Sequence, residues 1–140
     1  MKNLFPRLEF LALLLLRAAV GLVFLWHGTM KLDNLAAWQR NFVHMGFPGY
    51  FAIVAGVLET VGGALLILGL FARIAGLLLA GEMLIALIRV HWPAAPLTRV
   101  GAYELPLLLA AGSFAVFVLG PGSAAVDRLR GRGKSPRAGA

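Results

Sequence analysis

The chain has 140 residues, 60% of them hydrophobic and 14% charged, with a mean hydropathy of +0.85, a net charge of +7 and no cysteine. A soluble domain is roughly a quarter charged, so this composition excludes an ordinary water-soluble fold and points to an all-α integral membrane protein. The missing cysteines exclude disulfides, cysteine-ligated zinc, iron–sulfur clusters and covalently attached c-type haem within this chain; any redox chemistry draws on a borrowed or non-covalent cofactor.

Residues 1–7 read as a short cytoplasmic N-terminus carrying Lys2 and Arg7. The first apolar segment, about 8–30, could be mistaken for a signal peptide. Glu9 and Arg17 interrupt it, however, it runs on past Trp26, and it shows no clear small-residue cleavage site, so it reads as a retained helix. At 100° per residue, Arg17, Gly21, Phe24, Gly28 and Lys31 share one stripe and Trp26 lies opposite. The stripe is expected to face protein, with Trp26 at the lipid interface.

Next, 35–50 is an amphipathic loop in which Leu35, Trp38, Phe42 and Met45 recur at helical spacing. It reads as a short helix along the outer surface, ended by Gly46 and Pro48 and able to roof a polar core. Three further apolar segments follow at about 51–72, 74–92 and 103–120. Each is close to the 17 to 25 residues that cross about 30 Å of hydrocarbon, so the fold class is a four-helix transmembrane bundle over 8–126.

In the second segment Glu59 shares a stripe with Ala52, Ala55, Gly56, Gly62 and Gly63; in the third Glu82 goes with Ala75, Ala86 and Arg89; in the fourth Glu104 goes with Ala111, Ala115 and Gly122. Small residues in lipid mark close helix contact, and Gly21, Gly28, Gly56, Gly62, Gly63, Gly120 and Gly122 are the expected packing positions. The stripes converge on one polar core in which Arg17 is expected to neutralise Glu59, with Glu82 sharing a proton. A buried carboxylate excess suits a ligand-binding or proton-handling site built from Arg17, His27, Lys31, Glu59, Glu82, Arg89 and Glu104. The alternative is that paired charges only fix helix register.

Residues 127–140 form a basic tail without interleaved aromatics, which suits anionic headgroups rather than nucleic acid and is expected to be disordered. Eight basic residues (Lys2, Arg7, Arg73, Arg128, Arg130, Arg132, Lys134, Arg137) fall on one side and four (Lys31, Arg40, Arg89, Arg99) on the other. This asymmetry places both termini in the cytoplasm. His27, His44 and His91 lack metal-ligand spacing, so no metal site is expected, and no Walker, GxGxxG, GxSxG or HExxH motif occurs.

RAAVGLVFLWHGTMKL, GVLETVGGALLILGLFAR, GEMLIAL, YELPLL and GPGSAAVD together resemble the DoxX family of small four-helix bacterial membrane proteins, over roughly residues 10–127. The positions that match that family's recurrent residues are Arg17, Gly28, Lys31, Glu59, Gly62, Gly63, Glu104, Gly120, Pro121, Gly122 and Asp127. The resemblance implies a multi-pass protein of the bacterial inner membrane associated with quinone-linked oxidoreduction. The expected partners are the lipid bilayer, a quinone, a redox partner protein and further copies of the chain. Two other readings stand beside it: a small-solute or proton carrier using the buried carboxylates, and a scaffold docking peripheral proteins.

Overall fold

A computed structural model of the chain describes residues 6–94, 100–122 and 125–126. The expectations for residues 1–5, Arg99, Asp127 and the 127–140 tail lie outside the described residues. The described residues are mainly helical, with no strand among them. The elements are α1 (Pro6–Asp33), α2 (Leu35–His44), α3 (Phe51–Leu68), α4 (Ala72–Ala86) and a π-helical turn (Leu87–His91). After these come a short α5 (Trp92–Ala94), a 3-10 turn (Val100–Ala102) and α6 (Glu104–Leu119).

Three stretches, Leu8–Asp33, Phe51–Leu68 and Ala72–His91, are long and apolar enough to cross a membrane, and α6 is a shorter apolar helix. The ends have local causes. Pro6 opens α1, where a missing backbone N–H costs nothing. Gly69, at φ +68°, closes α3: its N–H donates to Leu66 O and that of Leu70 donates to Leu65 O, the paired bonds of a left-handed C-cap. The expected 51–72 helix therefore stops at Leu68, and α4 starts from Phe71, a left-handed non-glycine residue. The expected 74–92 helix widens after Ala86 into π geometry, where the His91 ring Nδ1 meets Ala86 O at 2.9 Å.

The four long helices form a ring of antiparallel neighbours, α1 against α3, α3 against α4, α4 against α6 and α6 against α1, with the first and third pairs the most intimate. Gly21 faces Gly63, and one heptad away Gly28 meets Gly56 and Thr60. A Cβ on Gly21 would lie 2.7 Å from Gly63 O, and one on Gly63 would lie 2.6 Å from both Gly21 O and Leu25 N. Backbone thus touches backbone along α1–α3, the contact that substitutes for a hydrophobic driving force between helices in lipid. Gly62 receives the Leu79 side chain of α4, Gly76 abuts Ser113 and Phe117 of α6, and Gly112 abuts Val20 of α1. The apolar centre comprises Val20, Phe24, Leu66, Leu79, Met83, Leu109 and Val116.

The α1 stripe Arg17, Gly21, Phe24, Gly28 and Lys31 is buried and Trp26 is exposed. The α6 stripe requires correction. Its buried face is Pro106, Leu109, Gly112, Ser113 and Val116, whereas Ala111 and Glu104 are exposed and Ala115 is half-buried. Small size alone misled there, because α6 is apolar all round and presents no polar side to subtract.

Candidate functional site

The polar residues separate into two groups, one at an end of the bundle and one nearer its middle, rather than forming the single core that the stripes suggest. Arg17 does not meet Glu59. Antiparallel packing sets Arg17 beside Gly69, at the α3–α4 turn, where its buried guanidinium donates to Pro121 O just beyond α6. Gly120 and Gly122 are left-handed, at φ +84° and +77°, and fold the chain back so that this carbonyl is presented. Arg73 works at the same end, donating to Phe117 O at 2.9 Å and Val118 O at 3.1 Å, which satisfies carbonyls left open by the last turn of α6. Arg17 is thus a clamp on a bundle end, and the Arg17–Glu59 pairing is replaced by another.

Glu59 pairs with Lys31. Both are buried, and Lys31 Nζ donates to Glu59 Oε2. Lys31 is on the last turn of α1, and its long stem reaches toward Glu59, which lies near the middle of α3. The Lys31 ammonium also lies 5.3 Å from the centre of the Trp38 ring of α2, so the amphipathic helix covers the pair with an aromatic face. His27 lies within electrostatic reach of Glu59, and its Nδ1 donates to Val23 O at 2.8 Å.

Glu82 completes the group. Because Gly62 packs on Leu79, Glu59, one turn before Gly62, and Glu82, one turn after Leu79, come to a similar level across α3–α4. Glu82 lies within electrostatic reach of both Glu59 and Lys31. Its Oε2 is buried and has no hydrogen-bond partner among the described residues. A buried polar atom left without a partner costs about 1–3 kcal/mol, more when charged. Two carboxyls against one ammonium leave one negative charge to be neutralised by a proton or by a ligand's donor.

Arg89 and Glu104 stay outside this group. Arg89 is exposed on the π turn, 5.9 Å from the Phe47 ring centre, and Glu104 is exposed in the first turn of α6. No group of three or more histidine, aspartate or glutamate side chains suited to a metal occurs among the described residues. Sequence reasoning placed Trp38 on the roofing segment without setting it over Lys31, and passed over Thr60, whose hydroxyl donates to Gly56 O at 2.7 Å. It also passed over Ser113, fully buried with an Oγ that has no partner among the described residues. The Trp38 contact was within reach of sequence, since Trp38 falls on the apolar side of a helix that follows Lys31 by a few residues.

The family model for DoxX matches residues 12–92. A Bacillus subtilis (strain 168) protein named "Putative oxidoreductase CatD" is 32% identical over 121 residues, 86% of this chain and 88% of that protein. An Escherichia coli (strain K12) protein, "Inner membrane protein YqjF", is 27% identical over 123 residues, 88% of this chain and 95% of that protein. No solved structure matches.

Proposed function

We propose, from the premise that the chain belongs to the DoxX family of membrane proteins, that it is a membrane subunit of quinone-linked oxidoreduction. In this reading Glu82, backed by the Lys31–Glu59 pair, exchanges a proton with a quinol bound inside the bundle. The observation that carries the reading is the buried, unpartnered Oε2 of Glu82 beside an ion pair already satisfied. A quinol hydroxyl is a donor that fits that oxygen, and the apolar wall of the span fits the ring. When bound, the quinone couple supplies electrons and protons together. Glu82 accepts the proton as the quinol is oxidised, and Lys31 holds Glu59 in place. Glu82 takes up the two protons one after the other while the two electrons pass to a partner protein. The name of the Bacillus relative, an oxidoreductase, leans the same way.

The proposal includes a topology: four crossings of a bacterial inner membrane, α6 being the fourth, with both ends in the cytoplasm. Support comes from the eight-to-four bias of basic residues and from α6 lying antiparallel along α4. A periplasm-active reporter fused after Ala138 is expected to give no signal, and a strong signal there would reverse the orientation.

The binding test uses purified protein in lipid nanodiscs titrated with decylbenzoquinol. Loss of a hydrogen bond to a charged group is worth about 10- to 100-fold in affinity. Glu82→Gln is expected to weaken binding by that factor, whereas Arg17→Lys leaves it unchanged. Equal affinity in wild type and Glu82→Gln, together with pH-driven flux in vesicles, would favour a carrier instead.

A further inference from the structure

Between α3 and α4, on the outside of the bundle, runs a groove of about 550 Å³. Its walls are Val54, Val57 and Val61 from α3 and Phe71, Ile74 and Leu78 from α4, all apolar and all exposed. It exists because Gly62 and Ala75, at its floor, carry little or no side chain, so the helices approach closely at the seam while the branched residues on either side stand out as walls. Both helices belong to stretches apolar and long enough to span a bilayer, so the groove opens to hydrocarbon and not to water.

One face of α4 links the groove to the polar group. Phe71, Ile74 and Leu78 follow one another at helical spacing, and the next position in that row, four residues after Leu78, is Glu82. Its neighbours Leu79 and Met83 are buried and Leu78 and Ile85 are exposed, whereas Glu82 is half-buried, on the border between core and lipid. An apolar trough within the membrane therefore leads along one row of side chains to a carboxyl whose Oε2 has no partner among the described residues.

We infer that the α3–α4 groove is a lateral entry for a membrane-dissolved ligand with a long apolar chain, which lies in the groove while its polar head reaches Glu82. This rests on the proposed quinol reading and deepens it by naming the route and the chain seat. Transfer of the chain from lipid to the groove gains little, since lipid tails are as apolar as the walls; what the groove contributes is direction, by holding the chain so that the head meets Glu82. A water-soluble substrate gains nothing from such a trough.

The test uses a decylbenzoquinol with a diazirine at the chain end, kept reduced and photolysed in lipid nanodiscs with the full chain, and labelled peptides identified by mass spectrometry. Labelling concentrated in Ile53–Leu65 and Phe71–Leu78, and reduced by about tenfold in Leu78→Trp but not in Leu108→Trp, is the expected result. Leu108 is exposed on α6, so both tryptophans project into lipid and neither burdens the core. Labelling spread over every lipid-facing helix, or unchanged in Leu78→Trp, overturns the inference. A chainless methylbenzoquinol titrated in parallel separates the two claims. If it binds in a Glu82-dependent way while the chain label is scattered, the function stands and the groove does not; if it fails to bind and the label is scattered, both fall.

Discussion

Lys31→Met is expected to destabilise the bundle by about 3–5 kcal/mol, because it leaves Glu59 buried among apolar side chains with its cation removed. The loss appears as a lowered melting temperature in detergent, followed by far-UV circular dichroism. Adding Glu59→Leu to Lys31→Met is expected to recover most of it, since the uncompensated charge is then gone, and a buried pair replaced by apolar residues is often no less stable than the original. The same cycle with Arg17→Ala and Glu59→Gln is expected to be additive within about 0.5 kcal/mol, as Arg17 sits beside Gly69 at the end of α3 and donates to Pro121 O, whereas Glu59 pairs with Lys31 nearer the middle of that helix. Strong coupling between Arg17 and Glu59, with none between Lys31 and Glu59, would reverse the assignment of the pair.

Gly28→Ala and Gly63→Ala carry the second large effect. A methyl on Gly63 meets Gly21 O and Leu25 N, and one on Gly28 lies 2.8 Å from Gly56 O and closer still to Thr60. These are mostly backbone atoms of a facing helix, which cannot rotate aside, so α1 and α3 must move apart along their whole contact. Overpacking of this kind costs about 1–3 kcal/mol per site, and here it also loosens the seam that carries Lys31 toward Glu59. Gly81→Ala is the matched control: no atom lies within 4 Å of its added methyl, and helix propensity favours alanine by up to about 1 kcal/mol. Melting temperatures that fall for Gly28→Ala and Gly63→Ala and hold or rise for Gly81→Ala check the seam.

How far the sequence could be read depended on what lipid leaves visible. The apolar runs mark the spans because only a helix satisfies its own backbone in hydrocarbon, and α1 showed its buried face because two cations and two glycines share it. On α3, Glu59 among small residues did the same. On α6 the apolar surface is continuous, so neither polarity nor side-chain size separates the face touching α1 and α4 from the face touching lipid, and the stripe through Ala111 and Ala115 was misplaced. The charge pairing failed for a different reason. Angular position put Arg17 and Lys31 on one stripe with equal claim to Glu59, and only axial register, set by the seven-residue spacing of Gly21 and Gly28 against that of Gly63 and Gly56, brings Lys31 within reach while sending Arg17 to Pro121. The partnerless oxygen of Glu82 and the π turn after Ala86 depend on three-dimensional contacts and backbone geometry with no one-dimensional signature.

The central claim is that Glu82 exchanges a proton with a membrane-dissolved quinol beside the Lys31–Glu59 pair. Infrared difference spectroscopy of the protein in lipid nanodiscs holding decylbenzoquinol, before and after the quinol is oxidised by ferricyanide as electron acceptor, reads it at the carboxyl itself. The account predicts a change in the protonated-carboxyl C=O band that vanishes in Glu82→Gln and persists in Glu104→Gln, whose side chain is exposed at the start of α6. A spectrum with no carboxyl change, or the same change in wild type and Glu82→Gln, would contradict it.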